Sequence, residues 1–283
     1  MIALALFIAS SPCAAAATLY VVDSARLVES LGAATDPKRK SEYAAFLPEQ
    51  VVGWQAELIR QRVHTLALDI TVTTTAEGFV LTGKDAAINL TEIVARAPRI
   101  ALHAVSDDAD WPKGAAKKAK GTQRAEKYIS VGGVERAVTV VDLAPAARAA
   151  FVKALVVPAG HRLAFELYQG HFEGRLLEDP PVLVAADFAD GKLSGPDVTF
   201  TTTAAGNVKL ASATKALQGR RLAILVDDEI VAVPVVGEPI TSGFVSVTSG
   251  GVTAEERRAR AARLAGQVKL ALHPARVTTR CRE

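Results

Sequence analysis

Four side chains in one short stretch could hold a metal ion: His161, Glu166, His171 and Glu173. A hairpin could bring these mixed nitrogen and oxygen donors within reach of one another, and His171 and Glu173, two positions apart, would share one face of a strand. A metal-dependent hydrolase would be built on that set. Asp227 and Asp228 form a second pair, able to work as general acid and base only if burial or like-charge crowding raised one pKa. Lying between two apolar runs, they are more simply read as turn formers. Glu238, beside Pro239, could accept backbone N–H groups or pair with Arg220 or Arg221. The chain has no Gly-x-Ser-x-Gly elbow, no His-Glu-x-x-His, no phosphate-binding loop and no Cys-x-x-Cys. The expectation is a protein that is not an enzyme, with no catalytic residues, no metal and no cofactor.

Composition narrows the partners. The 283 residues are 49% hydrophobic and 22% charged, enough to bury a core, and the net charge of +3 is too slight a bias for nucleic acid. Met1 to Ala17 carries no charge and ends in Ala14 to Ala17, small residues of the kind a signal peptidase accepts, so residues 1–17 read as an export signal, or as an anchor if retained. Cys13 could be a lipid attachment point, although Pro12 stands where such sites take a small residue. If the signal is cleaved, Cys281 alone remains and makes no internal disulfide. The expected location is the periplasm or outer face of an envelope, with any membrane tether confined to the N-terminus.

The elements that must position these residues fall into two modules. Leu19 to Val22 predicts a strand and Arg39 to Val63 a helix, with Phe46, Val51, Trp54, Leu58 and Val63 on its buried side. Strands are predicted over Thr65 to Thr73 and Phe79 to Thr82, a helix from Asp85 to about Arg96, and a strand over Arg99 to Val105. This β-α-β-β-α-β order is the split βαβ pattern of a ferredoxin-like domain, residues 18–105. Residues 106–135, with Lys113, Lys117, Lys118, Lys120, Arg124 and Lys127 crowded together, read as a basic, solvated linker. An α+β module with antiparallel strands follows over 136–277, then a tail, 278–283. Within it, residues 221–226 and 229–235 are β-branched runs joined at Asp227-Asp228, a tight hairpin whose second strand should end near Pro234. Phe244 to Thr248 alternates, Gly250-Gly251 breaks the strand, and Thr253 with Glu256 forms a capping box for a helix from about 254 to 272. Its charges, Glu255 to Arg263, read as an exposed face.

The stretch Leu222 to Ile240, followed by Gly243, Gly250-Gly251 and Thr253-Ala-Glu-Glu256, resembles the head of the first periplasmic domain of the protein-export membrane protein SecD. Glu57 to Leu66, with Arg60-Gln-Arg62-Val63, is similar to a helix in the base of that domain, and Pro181 to Asp190 with Val198 to Thr201 is similar to the lead-in to the head. The chain departs from the family in having no Asp-Leu-x-Gly-Gly segment after its N-terminal apolar stretch, in Asp228 at a frequent Gly position, and in ending without the membrane bundle.

The resemblance implies an exported, non-enzymatic module in contact with polypeptide emerging from the Sec channel, or with Sec translocon components. The hairpin and corner residues Pro234, Glu238, Pro239, Ile240 and Phe244 are the expected binding surface, holding an extended chain by β-augmentation. A detached adaptor that binds another envelope protein or cell-wall component is the alternative, and the hydrolase a lesser one.

Overall fold

The computed structural model describes residues 18–24, 48–273 and 277–281, apart from 67, 88–89, 91–92, 95, 109, 132–133, 169, 195–196 and 249–252. The signal segment with Cys13, and Phe46, lie outside the described residues. The chain is α+β, its sheets almost wholly antiparallel, and it divides into two units: 1–97 with 273–283, and 98–272.

In the first unit, β1 (Thr18–Val22), α1 (Pro48–Thr65), β2 (Thr71–Thr74) and β3 (Gly78–Thr82) follow in order. Val51, Val52, Gln55, Ala56, Leu58, Ile59, Arg62 and Val63 are buried along one side of α1, the spacing of a helix with a single apolar face. Trp54, expected among them, is only half-buried. Tyr20 stacks on Phe79 at 5.4 Å between ring centres, and the β1–β3 pairing needs Gly78, because a Cβ there would collide with the carbonyl oxygen of Tyr20.

The sheet is closed by a strand that the sequence reading assigned elsewhere. Its order is C-terminal strand Val277–Cys281, β1, β3, β2, with Tyr20 facing Thr279. This is the fourth-first-third-second order of a split βαβ domain, but the expected fourth strand, Arg99 to Val105, is not in it, and residues 278–283 are not merely a tail. Of the helix expected from Asp85 to about Arg96, the described residues include a short 3-10 turn (Lys84–Ala87), in which the Asp85 carboxylate accepts the Asp69 N–H at 2.7 Å, while residues 88–89, 91–92 and 95 lie outside them.

The strand expected in the base is β4 (Ile100–Ala104), and it belongs to the second unit, pairing with the hairpin strand β12 (Leu222–Val226) through Ile100 to Ala104. The predicted linker is also structured. It contains α2 (Lys113–Lys118) and β5 (Thr122–Val131), which pairs along its length with β6 (Val134–Leu143). Trp111 is buried edge-on against Phe151 of α3 (Arg148–Ala154), at 6.1 Å. Polar composition hid this segment: its lysines 113, 117, 118 and 120 are exposed while Ala115 and Ala119 are buried.

β7 (His161–Tyr168) and β8 (His171–Glu178) form the hairpin predicted from the sequence, and β9 (Leu183–Val184), β12 and β13 (Glu229–Ala232) complete an eight-stranded sheet in the order β5-β6-β8-β7-β13-β12-β4-β9. The β13–β7 contact is parallel and has a single paired position, Glu229 with Phe165. A smaller sheet holds β10 (Phe188–Ser194), β11 (Asp197–Thr202) and β14 (Phe244–Thr248). The helix α4 (Ala204–Ala216) is capped by Thr203, whose hydroxyl accepts the Gly206 N–H. Across β10 and β11 packs α5 (Ala254–Leu272), with Val268 so close to Gly191 that a Cβ there would collide with it. The capping box is present in both directions between Thr253 and Glu256.

His103, in β4, is fully buried. Its Nδ1 lies 2.9 Å from the Glu178 carbonyl oxygen, while Nε2 has no hydrogen-bond partner among the described residues. Burial holds its pKa below the ordinary value of 6.5, outweighing the Glu178 carbonyl and the Asp179 and Asp228 carboxylates, which pull the other way, while Arg162 adds to the lowering. The folded state therefore binds this proton less readily than the unfolded one. Its contribution is fully present above about pH 6.5 and is lost as pH falls from there through the folded-state pKa. Urea unfolding at pH 7.5 and 5.5 should show a drop in stability on acidification that is smaller in His103→Phe; equal drops would remove His103 from the acid response.

Candidate functional site

The predicted Asp227-Asp228 turn is present, with φ of 51° and 72°, the double left-handed conformation of a two-residue hairpin. The pair is occupied structurally. Asp227 accepts the Arg99 N–H at 3.0 Å, and Asp228 binds Arg99 at 2.6 Å and Arg162 at 2.7 Å. The β7–β8 hairpin does not gather the four proposed metal ligands. It sets Glu166 opposite Glu173 but leaves His161 opposite Glu178 at one end and His171 opposite Tyr168 at the other. Both central carboxylates face Arg175, at 3.0 Å from Glu173 and 3.7 Å from Glu166.

The corner after β13 is held by its backbone. Pro234 donates nothing, but its carbonyl accepts the Leu222 N–H at 3.0 Å, and Val236 bonds Gly219 and Arg220. The Ile240 N–H donates to Thr214 Oγ1 at 2.8 Å, and Asn207 reaches the Thr241 carbonyl at 3.2 Å, fixing the corner to α4. Glu238 and Pro239 are exposed and Ile240 is half-buried. Glu238 does not pair with Arg220, which is held by Asp107 and Glu178, nor with Arg221.

Two surfaces meet beyond this corner. The first is β14, which among the described strands pairs with β11 alone. Val245 and Val247 point into the core while Phe244, Ser246 and Thr248 face outward, Phe244 with 55% of its surface exposed. The strand carries no charge and no proline, the features that usually blunt a sheet edge. The second is a cavity of about 440 Å³, to which Val247 and Thr248 contribute. Leu167, Val231, Val233, Pro234 and Leu264 give it apolar walls. β7 contributes Glu166 and Leu167 to its lining and β13 contributes Glu229 to Ala232, at and just past their single paired position.

The charged groups of this cavity are Arg175, Arg221, Arg260, Arg263, Glu166 and Glu229. Of the residues expected at the site, only Pro234 lines it. Arg175 and Arg221 have no spacing in the sequence that links them to each other or to α5; Arg260 and Arg263, three residues apart on that helix, read as an exposed face, and Arg260 is exposed while Arg263 is half-buried. Arg221 is 8% exposed, and burial, then the charge of Arg175, brings its pKa down to about 10 against the pull of Glu166 and Glu173.

An α+β unit carrying a β-hairpin, a three-stranded sheet that ends in β14 and a long helix packed on that sheet is thus the class of structure that holds the site. Residues 176–270, from β8 through most of α5, match the family model described as the P1 head subdomain of SecDF, bearing out the resemblance in that segment. Three solved structures cover 93% of the chain. One is described as the structure and function of a membrane component SecDF that enhances protein export, at 15% identity, TM-score 0.35 and 97% coverage of that chain. Another is SecDF in a super-membrane-facing form, at 16% identity, TM-score 0.36 and 29% coverage. The third is SecDF from Thermus thermophilus, a translocon-associated membrane protein, at 15% identity, TM-score 0.49 and 30% coverage. The chain thus spans under a third of the length of the latter two. No curated protein matches the chain. No helix of the described residues is long and apolar enough to cross a membrane.

Proposed function

We propose that this protein binds extended polypeptide along β14 and into the adjoining cavity, as a non-enzymatic accessory to protein export outside the cytoplasm. The observation that carries it is the uncharged, one-sided β14 edge, with Phe244 exposed, running into the cavity at Val247 and Thr248. Backbone N–H and C=O groups on such an edge can pair with any extended chain, and the neighbouring apolar walls can take its side chains. Pro234, Glu238, Pro239 and Ile240 form the bend that sets the start of this strand. The head-subdomain match supports the link to export, and the uncharged N-terminal segment supports delivery across a membrane. Sec translocon components are the proposed neighbours.

The test pairs affinity with stability. Glu238→Ala with Phe244→Ala should weaken binding of a permanently unfolded polypeptide about tenfold, on the order of 1.4 kcal/mol, and should move Tm little because both side chains are exposed. A fall in Tm with unchanged affinity would make the corner scaffold only. A photoreactive residue at Phe244, with a control at exposed Lys118, should capture exported chains or translocon components at Phe244 alone. Capture of a single folded envelope protein there would instead favour an adaptor.

A further inference from the structure

We propose that the cavity takes the carboxylate of an Asp or Glu side chain carried by the bound polypeptide, with the Arg221 guanidinium as its anchor. The inference rests on the polypeptide-binding reading above and adds a sequence preference to it.

Arg221 lines the cavity, is more than nine-tenths buried, and its Nε has no hydrogen-bond partner among the described residues. A buried cation without a hydrogen-bonded counter-ion is costly, whereas a carboxylate can meet the guanidinium fork with two parallel bonds. Neither carboxylate in the wall is hydrogen-bonded to Arg221: Glu166, which acts on it through charge, faces Arg175 at 3.7 Å, and Glu229 lies 4.0 Å from Arg263. Arg175, which also lines the cavity, has its own partner in Glu173 at 3.0 Å. Burial next to Arg175 depresses the Arg221 pKa against the pull of Glu166 and Glu173, and an added anion would relieve it.

The source of the carboxylate follows from the shape. Val247 and Thr248 belong both to the β14 edge and to the cavity wall, so a chain pairing with that edge passes the mouth of the cavity and need not end there. Its side chains alternate, so one of them enters while neighbours rest on Leu167, Val231 and Pro234.

The experiment uses the full chain and short Val/Thr-rich peptides with amidated C-termini, carrying one central Glu, Gln or Lys, followed by fluorescence anisotropy. The Glu peptide should bind about ten- to a hundredfold more tightly than the Gln peptide, the range of a charge-assisted bond in a dry site, with the Lys peptide weakest. Arg221→Met, which keeps an apolar stem, should erase the Glu preference, so that the Glu and Gln peptides bind alike. Arg221→Lys should retain part of it. Equal affinity of the wild-type protein for the Glu and Gln peptides overturns the inference while leaving polypeptide binding intact, and this holds even if a variant does not fold. A Gln peptide with a free C-terminus outcompeting the amidated Glu peptide also overturns it, assigning Arg221 to chain ends. Failure of all peptides to bind removes the underlying polypeptide reading.

Discussion

Lys269→Met is expected to destabilise the 98–272 unit by about 3–5 kcal/mol, because it strands the carboxylate of Asp190 in the protein interior. Lys269 lies fully buried in α5, and its Nζ binds Asp190 Oδ1 in β10; the same oxygen accepts the Gly191 N–H at 2.8 Å. Met fills nearly the volume of the Lys stem, so a cavity is not the cause. The remaining loss is electrostatic: a carboxylate whose side chain is only 12% exposed loses the cation it faces. Replacing both partners, Lys269→Met with Asp190→Val, should recover most of the loss, since an apolar pair asks for no counter-charge. Chemical denaturation of the three proteins decides it. A single variant within 1 kcal/mol of wild type would show that Asp190 finds solvent or another donor.

Gly206→Ala sets two effects of opposite sign against each other. Ala is the better helix former by about 1 kcal/mol, and Gly206 lies in the first turn of α4. A Cβ at that position, however, would collide with the carbonyl oxygen of Asp187 and stand 3.0 Å from its carbonyl carbon. Both neighbours are main-chain atoms, so no rotamer can give way. That carbonyl also accepts the Thr203 N–H at 2.9 Å, so pushing it aside disturbs the helix cap as well. Overpacking of about 3 kcal/mol against about 1 kcal/mol of propensity leaves a net loss of about 2 kcal/mol. Thermal unfolding should therefore show a lower Tm, whereas an unchanged or higher Tm would mean that α4 slides away from Asp187 at little cost.

What could be read in advance was local. The hairpin follows from Asp227-Asp228 between two β-branched runs, and α5 from Thr253 and Glu256, because each signal is complete within a few residues. The partner of a strand is another matter. Ile100 to Ala104 alternates equally well for either sheet, and only the distant Leu222 to Val226 decides that it leaves the base. The Lys-rich composition around Trp111 masked a small core because its buried members are alanines and one tryptophan. The cavity was illegible for the same reason. Arg175 on a strand, Arg221 at a strand entry and the Arg260/Arg263 pair on one helix are far apart in sequence and line one cavity only in the folded unit. Pro234 alone was legible there, as the residue that ends its strand.

The pairing of Val277–Cys281 with β1 bears on the order in which the two units form. β1 must wait for a neighbour about 250 residues further along the chain, whereas every strand of the 98–272 unit finds its partners within that unit. Closing so long a loop is unfavourable until the intervening chain has compacted. The inserted unit is therefore expected to acquire its structure while the base still lacks its edge, and Val277–Cys281 completes that sheet afterwards.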